Sequence, residues 1–282
     1  MSRRDARSLW LVQNLFDDLQ FSDHLLTGSS SPSGAEAYRV ATARRSAIDT
    51  WAPVSENSTH WVQVDCVIPR PASLLVIDRG SNLGTSAAGF YLEGRYSTGS
   101  SWVTVWGSTE ANGMYGPGAS TSPYGVQTYE GAIVKEFEPQ VFRFWRFRIP
   151  PSTGYAPRVR NLALGLPFEA SEPSVSNDWD GTQVNYDSAA SPSNWRGTGR
   201  VSNTREGAMM YRFTSYGEYL TAKRHLSEYE TGVASWFVPR RGRAEESMCV
   251  QIPPVRFPKP VEPGNLFRSV NLPYREHEPL AL

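Results

Sequence analysis

The segment Trp61-Val62-Gln63-Val64-Asp65-Cys66-Val67-Ile68 places Val62, Val64, Cys66 and Ile68 on one face of an extended chain. That pattern demands a half-buried β-strand, and others flank it. Leu74-Leu75-Val76-Ile77 is a short, wholly apolar strand that ends in the turn residues Asp78-Arg79-Gly80-Ser81-Asn82. Phe90, Leu92 and Tyr96 alternate with Tyr91, Glu93 and Arg95, and Trp102-Val103-Thr104-Val105-Trp106 is rich in β-formers. Val141 to Ile149 reads as a long strand of aromatics and arginines. Arg160, Leu162, Leu164 and Leu166 alternate with Val159, Asn161, Ala163 and Gly165. Strands at this spacing, with no convincing helix between them, predict an antiparallel sandwich. The 23 glycines and 21 prolines supply the turns such a fold needs.

A chain of 282 residues is long enough for two domains. Residues 1–34 read as an arm and linker. Leu9, Val12, Leu15, Phe16 and Leu19 have approximate helical spacing, and Gly28-Ser29-Ser30-Ser31-Pro32-Ser33-Gly34 is a flexible tether. The arm can pack on its own domain or on a neighbouring subunit. Residues 35–170 carry the sandwich. Residues 171–193 are a polar linker with room for a short strand around Thr182–Tyr186.

Residues 194–282 form a smaller β-rich domain with one helix. Its expected strands are Ala208–Phe213, Val233–Val238, Met248–Ile252 and Leu266–Leu272. Ser215 and Glu218 fit a capping box, Tyr216, Tyr219, Leu220, Leu226 and Tyr229 supply an apolar face, and Gly232 stands where the helix should stop.

Formal net charge is zero, and basic residues are scattered, so no nucleic-acid partner is expected. No run approaches the roughly 18 apolar residues of a membrane span, so no membrane insertion is expected. The start, Met1-Ser2-Arg3-Arg4-Asp5, is followed by only a short apolar patch. Just Cys66 and Cys249 are present. Both features suggest a chain kept in a reducing cytosol.

Catalytic signatures are missing. His24, His60, His225 and His277 lack metal-ligand spacing, so neither metal nor cofactor is expected. No nucleophile elbow or phosphate loop is present. Asp178 and Asp180 sit in the polar linker, which suits solvation better than the paired-carboxylate work of a glycosidase. The expectation is a protein that is not an enzyme. Trp51, Trp61, Trp102, Trp106 and Trp145 raise the question of sugar stacking, although strand tryptophans more often fill a core. The long Gly/Ser/Thr loop from Gly107 to Gly131 places Tyr115, Tyr124 and Tyr129 better for a ligand.

Ala43-Arg44-Arg45, Thr50-Trp51-Ala52-Pro53, Trp61 to Asp65, Phe142 to Phe147 and Val159 to Gly165 occur in an order and spacing that resemble a discoidin (coagulation-factor type C) module. The resemblance implies a jelly-roll-type sandwich in which the Trp61–Asp65 strand is a core strand and the strand carrying Arg143 and Arg146 lies across the sandwich from it. The cysteine pair that usually staples the family's ends is absent. The second domain is similar to structural proteins of tailed-phage tails and baseplates. The residues carrying that likeness are Asn194-Trp195-Arg196, Ala234 to Pro239, Cys249 to Ile252 and Leu266 to Leu272.

Together these likenesses imply a virion structural protein, assembled in bacterial cytoplasm, whose partners are other tail or baseplate proteins and copies of itself. Assembly contacts would come from Leu9, Trp10, Val12, Leu15 and Phe16. The alternative is a carbohydrate-binding module for a cell-surface glycan, stacking sugars on Tyr115, Tyr124 and Tyr129.

Overall fold

The computed structural model describes residues 8–11, 13–16, 23–29, 36–40, 51–53, 58–78, 81, 90–107, 133–151, 157–169, 182–190, 196–213, 215–227, 234–238, 247–251 and 268–276. The observed class is all-β, with antiparallel sheets and, among the described residues, a single α-helix. No helix there is long and apolar enough to cross a membrane.

The first sheet has the order β2-β3-β6-β4-β5. Its strands are β2 (Leu25–Gly28), β3 (His60–Ile77), β4 (Tyr91–Arg95), β5 (Val103–Gly107) and β6 (Ile133–Ile149). A further strand, β7 (Leu162–Gly165), pairs with the end of β3. The two segments expected at Trp61–Ile68 and Leu74–Ile77 are thus one strand, and the strand of Arg143 and Arg146, expected across the sandwich, is instead its hydrogen-bonded neighbour in the same sheet. The β3–β6 ladder breaks register between Asp65 and Arg70 and again between Ala72 and Leu74. Extra residues at such bulges bend a strand, and they let it turn a corner between sandwich layers. Val62 and Val64 from the first half of β3, and Leu75 and Ile77 from the second, line one continuous core with Trp51, Leu92, Trp145, Phe147 and Leu164.

The first bulge corrects one expectation. Val62, Val64 and Cys66 are buried as the alternation predicts, but Ile68 is 51% exposed. Val67 adopts φ 62°, the left-handed region that a β-branched residue rarely enters. That residue resets the parity of the strand and turns Ile68 out. An Asx-type bond, from Val67 N–H to Asp65 Oδ1 at 2.9 Å, holds the turn.

The second sheet has the order β8-β1-β11-β12-β13-β10-β9. It comprises β1 (Leu9–Leu11), β8 (Phe168–Glu169), β9 (Thr182–Ala190), β10 (Arg196–Phe213), β11 (Ala234–Val238), β12 (Met248–Gln251) and β13 (Arg268–Glu276). The short strand expected near Thr182 runs on to Ala190 and pairs with β10, so part of the anticipated linker is an edge strand. The helix, α1 (Tyr216–Ser227), starts as its cap predicts: Ser215 Oγ accepts from Glu218 N–H at 3.1 Å. Among its described side chains Tyr219 and Ala222 are buried, whereas Tyr216 and Leu220 are exposed.

The arm departs most from expectation. Helical spacing gives way to β1, which pairs with β11 on one side and β8 on the other. A segment this short gains little from an isolated helix. As a strand it satisfies its backbone on both edges and buries both faces. Leu9 and Leu11 pack with Leu74, Val76, Ala163, Trp236, Val238 and Cys249. Trp10, on the opposite face, is stacked on Phe237 and edge-on to Tyr211 and Tyr274. This explains the unbroken apolar run Leu74–Ile77. Leu75 and Ile77 face the first core, and Leu74 and Val76 face the second sheet.

Beyond β1 the chain is stitched along β7. Buried Asn14 donates to Leu162 O at 3.0 Å, and its Oδ1 accepts from Leu164 N–H at 3.0 Å and Phe16 N–H at 3.1 Å. Gly165 permits the close approach. A Cβ there would come within 2.3 Å of the Gln13 carbonyl oxygen.

Candidate functional site

In β3, β6 and β4 the residues that alternate with the core set lie in register on the outer face of the first sheet. Trp61 is paired with Arg148, and Arg148 with Tyr91. Gln63 is paired with Arg146, and Arg146 with Glu93. Asp65 is paired with Phe144, and Phe144 with Arg95. The period of two that buries Val62, Trp145, Phe147 and Leu92 therefore brings four arginines, counting Arg143 at the bend, beside two carboxylates and several rings.

Cations and rings alternate across this face. The Arg143 guanidinium lies 4.8 Å from the Phe144 ring centroid, and that of Arg95 lies 4.7 Å from the same centroid. Arg95 is also 4.4 Å from the Trp102 ring, and Arg146 is 3.9 Å from it. Arg148 sits 4.3 Å over Tyr91. Tyr91 in turn lies across Gly107, where any Cβ would meet its ring at 2.7 Å. Such contacts contribute about 0.5–2 kcal/mol each, more as water is excluded.

Carboxylates lock the guanidinium groups. Glu93, 5% exposed, accepts from Arg146 Nε on one oxygen and Arg148 Nε on the other, both at 2.8 Å. Asp65 takes both prongs of Arg143, Nε at 2.7 Å and Nη2 at 2.8 Å. The Arg143 hydrogen bonds hold the Asp65 carboxyl below the usual carboxylate range. Burial lowers the Arg146 pKa, against the pull of Glu93.

A small turn places Trp102. Ser97 N–H donates to Ser100 Oγ at 2.9 Å, Ser100 Oγ donates back to Ser97 O at 2.9 Å, and Arg95 Nη1 donates to Thr98 O at 3.2 Å. The chain is thereby turned so that the Trp102 ring meets Arg95 and Arg146.

The five sandwich tryptophans divide in two. Trp51, Trp106 and Trp145 are core residues, as strand tryptophans usually are. Trp61 and Trp102 are half-buried on the outer face. Alternation was the available signal, since Trp61 has the parity opposite to Val62 and Val64.

Tyr115, Tyr124 and Tyr129 lie outside the described residues, as do Asp178 and Asp180. Of the proposed assembly contacts, Val12 also lies outside them. Leu9, Trp10, Leu15 and Phe16 are at most 3% exposed within their own chain, so of the two alternatives for the arm these residues take packing on their own chain. The cysteines are buried too, and burial pushes the Cys66 thiol up to about 12.

No family model and no curated protein matches the chain. Among solved structures, it is similar to chitosan-binding module 1 of a chitosanase/glucanase from Paenibacillus sp. IK-5. The TM-score is 0.40 and identity 15%, over 54% of this chain and 98% of that one. Chitosan-binding module 2 of the same enzyme, in complex with chitotriose, gives a TM-score of 0.39 at 17% identity, over 54% and 99%. The CpGH89CBM32-5 module from Clostridium perfringens, in complex with GalNAc-beta-1,3-galactose, gives 0.39 at 7% identity, over 52% and 98%. Superpositions this loose assign neither ligand nor residue roles.

Proposed function

We propose that this chain is a non-catalytic carbohydrate-binding protein that meets glycan on the outer face of β3, β6 and β4. One observation carries the reading: half-buried Trp61, Tyr91 and Trp102 share that face with guanidinium groups fixed by Glu93 and by the rings themselves. A sugar ring offers a C–H face and a rim of hydroxyls. Aromatic surface complements the first, and fixed N–H donors complement the second. Because ion pairs already hold the arginines in place, a ligand would order few side chains on arrival.

Glu93 and Asp65 each have both oxygens bonded to arginine, which leaves neither free to shuttle a proton. That supports binding without catalysis. A tail or baseplate component that touches its host's surface would use the same face.

The test is affinity electrophoresis and calorimetry against a panel of neutral and acidic polysaccharides, comparing the unmodified chain with Trp102→Ala and Arg148→Ala. We expect binding to at least one polysaccharide, weakened about tenfold or more by either change while the circular dichroism spectrum is retained. Binding unchanged in both variants, or absent across the panel, would overturn the assignment.

A further inference from the structure

The outer face of the first sheet holds more positive charge than its own carboxylates balance. Asp65 binds Arg143, and Glu93 binds both Arg146 and Arg148. With Arg95, four guanidinium groups share two carboxylates, and among the described residues none pairs with Arg95. Arg95 Nη1 donates to Thr98 O at 3.2 Å, and its guanidinium lies 4.4 Å from the Trp102 ring and 4.7 Å from the Phe144 ring. Its Nε is buried without a hydrogen-bond partner among the described residues. Rings attract a cation but do not cancel its charge. Arg146 feels the surplus: burial lowers its pKa most, Glu93 opposes that, and the charges of Arg148 and Arg95 lower it further.

We propose that the glycan taken on this face is an acidic one, whose carboxylate or sulfate groups meet Arg95 and Arg146, the two guanidinium groups in contact with Trp102. The inference rests on the glycan-binding reading above and adds the charge of the ligand. Anionic oxygens accept from guanidinium N–H groups more strongly than neutral hydroxyls do. Asp65 shows the mode on this same face, accepting from Arg143 at 2.7 and 2.8 Å. A neutral sugar would use the aromatic surface and leave the surplus charge unbalanced. The side chains of Arg146 and Arg148 are 18% and 25% exposed, and Arg95 and Trp102 are half-buried, so the surplus charge lies within reach of a ligand. Partial exposure also makes the attraction sensitive to salt.

The experiment compares two pairs of polymers on the full chain by affinity electrophoresis and calorimetry. The pairs are polygalacturonate with its methyl ester, and dextran sulfate with dextran. We expect at least one charged member to bind about tenfold or more tightly than its neutral counterpart, and less tightly as sodium chloride is raised. Whichever pair shows the larger difference identifies the preferred anion as carboxylate or sulfate. Arg95→Met keeps an unbranched apolar stem between the rings and should weaken binding of the charged polymer by about tenfold or more. Lys223→Met removes the same charge from an exposed position on α1 and should not alter it. Equal binding within both pairs, or binding confined to neutral polysaccharides of the wider panel, would overturn the acidic assignment and leave the glycan reading standing. So would equal losses in the two variants, which would mean attraction to overall charge. No binding to any polysaccharide would overturn both.

Discussion

Trp10 lies stacked on Phe237, ring centroids 4.0 Å apart and planes 23° from parallel, on neighbouring strands from opposite ends of the chain. The Trp10 indole N–H donates to the Tyr211 hydroxyl, which also contacts Ser8 Oγ at 2.6 Å. The arm is therefore an interior strand of the second sheet, paired on both sides. Trp10→Ala should cost roughly 3–5 kcal/mol by removing a fully buried indole and leaving a cavity. Deleting residues 1–16 should abolish cooperative unfolding of the second sheet. Urea denaturation followed by tryptophan fluorescence checks both. A truncated chain with unchanged stability would mean that β1 is dispensable.

Glu93 bridges Arg146 at 2.6 Å and Arg148 at 2.8 Å, with the carboxylate 6% exposed and the guanidinium side chains 18% and 25% exposed. Glu93→Ala leaves two arginines facing each other without a counter-charge. Breaking a fully buried pair costs about 3–5 kcal/mol, and partial solvent access reduces this to roughly 2–3 kcal/mol. The loss should exceed that of Asp65→Ala, whose partner Arg143 is 39% exposed. Equal losses in a thermal melt would show that the Glu93 bridge is no stronger than a surface pair.

His24 is buried beside Leu15, whose carbonyl oxygen lies 2.9 Å from Nδ1. Burial lowers its pKa from 6.5, with the Leu15 contact opposing the shift. A depressed histidine pKa means that the unfolded chain binds the proton more tightly. The contribution to stability is then complete above pH 6.5 and declines as pH falls toward the folded-state pKa. Denaturant midpoints measured from pH 7.5 to 5 should decline, and His24→Gln should flatten that part of the profile. An identical slope in the variant would place the titration elsewhere.

Val67 holds φ 62° while its side chain is 46% exposed. A left-handed β-branched residue carries strain of about 1–2 kcal/mol, and glycine would relieve it with little loss of burial. Val67→Gly should therefore stabilise the chain or leave it unchanged, despite glycine's greater freedom when unfolded. A clear loss of stability by differential scanning calorimetry would show that the valine contributes packing at the bend.

Much of this architecture is legible in the chain's own alternation. A period of two marks Trp61 to Cys66 and Trp145 to Ile149 because a sheet with one face in the core imposes that period. The Ser215–Glu218 cap is equally local, since the bond it makes spans three residues. The parity of Trp61 and Arg148 could even have been read as outward. What alternation cannot express is which strands become neighbours. The alternating ladder of Arg143, Phe144, Arg95, Trp102, Arg146 and Arg148 exists only because β4 and β5 pair beside β6. Leu9, Trp10 and Leu11 satisfy no strong local preference. They became a strand because two open strand edges and two apolar layers were waiting for them, and those were assembled from residues more than sixty positions away. Local periodicity thus determined the strands and their buried faces. Backbone pairing between distant segments, which satisfies hydrogen bonds that no single strand can satisfy, decided where the arm went and which side chains form a site.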